Sequence, residues 1–137
     1  MAYWLMKSEP SSYSWDQLVK DGRTHWNGVR NHLAASHLKA MKKGERAFFY
    51  HSNEGLAVVG IVEISKEYYP DPTDATGKFG MVDVKPVMKL KTPVTLAAIK
   101  AEPKLAELQL VRQGRLSVSS VDAASWKLIC KMGGVPA

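Results

Sequence analysis

Arg46-Ala47-Phe48-Phe49-Tyr50-His51-Ser52-Asn53-Glu54-Gly55-Leu56-Ala57-Val58-Val59-Gly60-Ile61-Val62-Glu63-Ile64-Ser65-Lys66 is the stretch that decides the class of fold. Val58, Val59, Ile61, Val62 and Ile64 are β-branched, which favours a pleated backbone. Asn53-Glu54-Gly55 separates two apolar runs with the chemistry of a hairpin turn. Two strands are predicted, over 46–52 and 56–66. Upstream, residues 3–7 are short, aromatic and apolar and read as a buried strand, broken at Ser8-Glu9-Pro10-Ser11-Ser12. Downstream, 68–78 is a loop rich in Pro, Asp and Gly. Residues 79–90 form another strand alternating around Val82, Val84 and Val87, with Pro86 marking a bulge or an edge.

Helices fill the gaps between these strands. Ser14 caps a short one over 15–20, ended by Asp21-Gly22. Asn31 caps a second, in which Leu33, Ala34, His37, Leu38 and Met41 share a face, with Gly44 as its stop. Short helical pieces follow at 95–101 and 103–112, then an extended segment at 116–118. Ser119, with Asp122 three residues on, starts a closing helix with Val121, Leu128, Ile129 and Met132 facing inwards. The mixture has no βαβ regularity, so the expected class is α+β, a small curved or barrel-like sheet with peripheral helices.

At 137 residues one domain is expected, spanning 1–137. No apolar run approaches the roughly 20 residues of a membrane span. The N-terminus carries no signal-peptide pattern, and the single Cys130 excludes an intrachain disulfide. A reducing, cytoplasmic setting is expected. The net charge of +6 is unevenly placed: between Lys20 and Arg46, seven basic residues face two acidic ones, a local net of +5. Such a surface either attracts polyanions or is simply a solvated face.

Chemistry concentrates beside this basic segment, in Thr24-His25-Trp26-Asn27-Gly28-Val29-Arg30-Asn31. A loop tryptophan between polar neighbours and a glycine is placed to stack on a flat ring, or is a large core residue. Arg30 suits a phosphate or a base edge, or pairs with a carboxylate such as Glu9. Asn31 reads a base edge or caps its helix. Strand ends present Lys7-Ser8-Glu9 and Tyr50-His51-Ser52, where alternation sends Tyr50 and Ser52 to one face and His51 to the other. Neither a nucleophile-and-base arrangement nor a metal motif is legible, and no cofactor is expected. Asp71 and Asp74 read as turn-formers.

Taken together, Tyr3-Trp4-Leu5-Met6-Lys7-Ser8-Glu9-Pro10, Trp26-Asn27-Gly28-Val29-Arg30-Asn31, Phe48-Phe49-Tyr50-His51-Ser52, Tyr69-Pro70-Asp71, Val82-Asp83-Val84 and Arg115-Leu116-Ser117-Val118 resemble the EVE domain over essentially the whole chain. Phe79 departs from the tryptophan common in that family. The resemblance implies a PUA-like curved β-barrel surrounded by short helices, related to YTH and ASCH domains. It also implies a pocket for a modified nucleobase in DNA or RNA. Lys7, Ser8 and Glu9 would form one wall; Trp26 would stack, with Gly28, Val29, Arg30 and Asn31 at the rim. Tyr50, His51 and Ser52 would close the opposite side, with Arg115 and Ser117 nearby. Arg23, Lys39, Lys42 and Lys43 are the expected phosphate contacts. The chain lacks the basic N-terminal extension of nuclear relatives, which again points to the cytoplasm; a eukaryotic source would point to the nucleus. Two rival readings stay open: a nucleic-acid-processing enzyme using Glu9 and His51 as acid and base, and a small-molecule or protein-interaction module using the same pocket.

Overall fold

The computed structural model describes residues 2–53 and 55–137; Glu54, the centre of the expected hairpin turn, lies outside them. Among the described residues six strands form one mixed sheet: β1 (Tyr3–Ser8), β2 (Thr24–His25), β3 (Arg46–His51), β4 (Ala57–Pro70), β5 (Gly80–Thr95) and β6 (Val118–Val121). Their order is β2-β5-β4-β3-β1-β6. The hairpin read from the sequence is present, with β3 antiparallel to β4 and a register shift between Phe49 and Tyr50. β1 lies parallel to β3, pairing Lys7 with Tyr50 and Ser8 with His51, while β6 closes its other side in antiparallel register. The architecture is α+β. The ladder ends on a two-residue and a four-residue strand that do not pair with each other, so the described sheet is open where a curved β-barrel was expected.

β1 and β3 read as continuous apolar runs because both of their faces are covered. Trp4, Met6, Ala47 and Phe49 point to one layer, where α1 (Trp15–Asp21) and α2 (His32–Ala40) pack. Leu5, Phe48 and Tyr50 point to the other, beneath α3 (Leu96–Ala101), α4 (Gln109–Arg112) and α5 (Ala123–Met132). Trp126, absent from the inward face expected of the closing helix, anchors α5. Its ring stacks between Tyr3 and Phe48, with centroids 4.5 and 3.9 Å away.

Local chemistry sets most boundaries. Ser14 accepts from Gln17 N, and Gly22, at φ +76°, ends α1 as expected. Pro86 falls where β5 bulges: Ile61 pairs with Met88 but Val62 with Pro86, leaving Val87 as the extra residue. Four expectations need correction. β4 runs on to Pro70, because Tyr69 and Pro70 pair with Met81 and Gly80; the loop is therefore shorter than 68–78. Leu33 is 41% exposed, since Ala34, Ala35 and Leu38 take the buried face of α2. That helix stops at Ala40, three residues before the turn in which Gly44 adopts φ +93°. Ser119 belongs to β6, opposite Leu5, so Asp122 caps α5 by accepting from Ser125 N.

Gly60 in β4 sits directly under the buried ring of Trp15, where a methyl group would overlap the indole. Gly60→Ala is expected to destabilise the fold by about 1–3 kcal/mol through overpacking. Urea denaturation monitored by tryptophan fluorescence measures this; an unchanged midpoint would show that α1 shifts freely over the sheet.

Candidate functional site

The site begins where β1 ends. Parallel pairing with β3 brings Ser8 beside His51, and Ser52 N donates to Ser8 O at 2.9 Å. The chain then turns at once, with Ser12 N and Tyr13 N both donating to Glu9 O at 3.0 and 2.8 Å. Ser8 Oγ donates to Tyr13 O at 2.6 Å, fixing this turn against the strand. Facing it is the segment after β2. Trp26 N donates to Val82 O at 2.8 Å, which carries the β2–β5 ladder one residue further.

Between the two lies a cleft of about 660 Å³ lined by Lys7, Ser8, Glu9, Ser12, Tyr13, Thr24, His25, Trp26, Asn27 and Gly28. The expected wall at 7–9 and the expected aromatic thus meet. Trp26 departs from expectation in one respect. Its backbone is a loop, but the residue is only 9% exposed and its ring packs edge-on against Phe49, with centroids 5.6 Å apart. The link to Val82 turns the indole inwards, so only part of it faces the cleft. Tyr13, Ser12, Thr24, His25 and Asn27 were missed as lining residues. The polar approach to Trp26 carried a signal for Thr24 and His25, whereas Tyr13 arrives through a turn that no periodicity reports.

The remaining expected site residues fall elsewhere. Val29 is buried in the core. Asn31 caps α2, its Oδ1 accepting from Ala34 N at 3.0 Å. Tyr50, Ser52, Arg115 and Ser117 line a second cleft of about 690 Å³, on the other side of Lys7 and Glu9, which border both. Tyr50 and His51 point to opposite faces, as alternation required, and the His51 ring packs near Phe49. His51 Nε2 accepts from Trp15 N at 3.2 Å, and burial pulls its pKa below the ordinary imidazole value. It is thereby engaged at the start of α1 and lines neither cleft. Lys42 and Lys43 lie in the turn before β3, at the end of the sheet remote from Ser8, about 16 Å away at roughly 3.3 Å per residue of β1. Lys39, in the last turn of α2, sits over the Tyr68 ring at 5.7 Å.

Arg30 finds its carboxylate, but in Asp71 rather than Glu9. Asp71 Oδ2 accepts from Gly28 N at 2.8 Å and from Arg30 at 3.1 Å; its Oδ1 accepts from Thr73 N and Thr73 Oγ1 at 2.8 and 2.6 Å. Arg30 also donates to Thr73 Oγ1 at 2.9 Å. Gly28 holds φ +79°, a left-handed backbone that aims its N–H at the carboxylate at no steric cost. Asp71 thus makes the expected turn and also ties the 26–30 loop to the β4–β5 hairpin. Burial alone would raise its pKa, but donation from Thr73, Gly28 and Arg30 outweighs this and holds the carboxyl at about 2. A neighbouring cluster fixes the other end of the segment. Tyr69 Oη donates to Asp83, which also holds His25 Nδ1 at 2.8 Å. Burial and this carboxylate push the Tyr69 phenol up to about 12.

An α+β sheet carrying a polar-rimmed, aromatic-backed cleft at its strand ends has the form of a ligand-binding site. Residues 2–132 match the model of the EVE domain, and the chain belongs to that family. It is 38% identical to human thymocyte nuclear protein 1 over 73% of this chain, and it spans 56% of that protein's length. Rpa0253 from Rhodopseudomonas palustris, solved by NMR, is 62% identical with a TM-score of 0.93, covering 98% of this chain and 94% of that one. Human THYN1, crystallised in complex with DNA containing 5-methylcytosine, is 31% identical with a TM-score of 0.93, covering 100% of each chain.

Asp71→Asn is expected to cost about 2 kcal/mol near neutral pH, the equivalent of lowering a carboxyl from its ordinary 3.8 to about 2. A depressed folded-state pKa gives stability that is complete above the ordinary carboxylate range and lost as pH falls through about 2. The gap to wild type should therefore shrink to about half near pH 3. Urea titrations at both pH values test this, and a gap that does not change with pH would contradict the role given to the carboxylate.

Proposed function

We propose that the protein reads a modified nucleobase in nucleic acid, seating the base in the cleft between Ser8-Glu9 and Trp26–Gly28. The observation that carries this reading is the construction of that cleft: an aromatic back wall with polar groups from two converging backbone segments, clamped by Asp71. A base offers a flat π-face and a polar edge, and the cleft offers partners for both. The DNA seen with a relative that covers this whole chain supports the same choice. In this reading the base stacks on the part of Trp26 that faces the cleft, and Ser8, Asn27 and nearby backbone groups meet its edge. Gly28, Val29, Arg30 and Asn31 hold the rim in place.

Phosphates are assigned to Arg23, which stands near the Tyr69–Asp83 pair beside His25, and not to Lys42 and Lys43, which lie at the remote end of the sheet, or to Lys39, which sits over the Tyr68 ring. The scaffold is read as PUA-like, its open sheet lying between two helical layers. The protein acts as a binder rather than a catalyst: His51, the base that catalysis would require, is committed to Trp15 N. Its site of action is wherever the modified nucleic acid resides, the cytoplasm for a bacterial chain.

The test is a titration of labelled oligonucleotides, with and without 5-methylcytosine, against wild type, Trp26→Phe and Asn27→Ala. Trp26→Phe keeps an aromatic in the core, so folding is checked separately by thermal melting. Loss of part of the stack is expected to weaken the modified ligand by about tenfold, within the roughly 1–3 kcal/mol of one base–aromatic contact. Asn27→Ala, at an exposed position, is expected to reduce the preference for the modification and leave the melting temperature unchanged. Equal affinity for all three proteins would remove this cleft from the function.

A further inference from the structure

The second cleft differs from the first in chemistry. Lys7, Lys100 and Arg115 stand against the single carboxylate of Glu9 among its described lining residues, over a floor that includes Leu96 and Leu110. The base cleft, by contrast, has Lys7 and Glu9 in balance, with His25 beside them. One face of the Lys7–Glu9 wall is therefore close to neutral and the other is cationic. A neutral heterocycle suits the first, and a phosphate suits the second.

Lys7 connects the two. Its ammonium donates to Gly114 O at 2.7 Å and lies 5.7 Å from the centre of the Tyr50 ring. Burial lowers its pKa, so the charge is partly stripped of water and gains from an anionic partner. Lys100 reaches the cleft from α3 and Arg115 from the turn before β6, so the cations converge from three separate parts of the chain.

We infer that this second cleft holds the nucleotide next to the one being read, its phosphate between Lys7, Lys100 and Arg115 and its base against the apolar floor. The inference rests on the base-reading role of the first cleft. A strand delivering one nucleotide across the Lys7–Glu9 rim carries its covalent neighbour to the other side. The pair of clefts then takes a nucleic-acid strand in preference to a free base, and the second supplies affinity that does not depend on the modification.

The experiment compares the nucleoside 5-methyldeoxycytidine with a trinucleotide carrying 5-methyldeoxycytidine between two thymidines. Both are titrated into wild type, Lys100→Glu/Arg115→Glu and Lys42→Glu/Lys43→Glu. All four substituted side chains are exposed, and the second pair is remote from both clefts, so it controls for total charge. Wild type is expected to bind the trinucleotide at least about tenfold more tightly than the nucleoside, with a salt dependence that the nucleoside lacks. Lys100→Glu/Arg115→Glu should erase most of that gain and leave nucleoside affinity unchanged, while Lys42→Glu/Lys43→Glu should preserve both. A gain that survives Lys100→Glu/Arg115→Glu, or one removed equally by either pair, overturns this inference alone. Wild type that binds neither probe overturns the base-reading role as well.

Discussion

Asp71 is the constraint on which the site depends. A carboxylate with a fully buried side chain is costly to desolvate unless its oxygens are satisfied, and here four donors converge on it. Two come from its own turn and two from the loop that carries Trp26. Removing the pair would leave the 26–30 segment joined to the sheet mainly by Trp26 N and the packing of Trp26 and Val29. Gly28 is the enabling residue, because only a left-handed backbone at that point turns its N–H towards the acid. The loop is thus preorganised by a charge-assisted network instead of by a ligand, which spares a binding partner the cost of ordering it.

The opposite wall has a different origin. Parallel pairing of β1 with β3 sets Lys7, Ser8 and Glu9 at the C-terminal end of two buried strands, where the chain leaves the sheet. Backbone rigidity there comes from the sheet core, on both faces, and the two clefts are consequences of side chains alternating around one strand end. Tyr50 and Ser52 look one way and Trp26 closes the other, so a single rigid strand end borders two clefts. The far end of the same sheet carries Lys42 and Lys43, which explains how a chain can concentrate its positive charge in sequence without concentrating it at the site.

Much of this was legible in the sequence. β-branched runs, the Ser14 and Asn31 caps, the Gly22 stop and the Pro86 bulge are local signals, and the structure realises each. Local chemistry marked residues 7–9 and Trp26 separately as candidates, and their meeting in one cleft was what the resemblance to the EVE domain implied. What the sequence hid was non-local. Arg30 had a carboxylate partner 41 residues away, which no spacing rule reaches. The division of one expected pocket into two follows from the register of β1 on β3. Trp126 was overlooked because the sandwich of its ring between Tyr3 and Phe48 exists only once β1 and β3 are neighbours. The open sheet likewise depends on how short β2 and β6 turn out to be.

In the proposed function a modified base lies against Trp26, in the cleft clamped by Asp71. Intermolecular NOEs from the methyl protons of 5-methylcytosine, in a short single-stranded DNA bound to the wild-type protein, test it directly. Contacts are expected from that methyl group to the Trp26 indole or its cleft neighbours Tyr13 and Asn27. Contacts to Leu96 and Leu110 in place of Trp26, or to the Lys42–Lys43 turn, would contradict it.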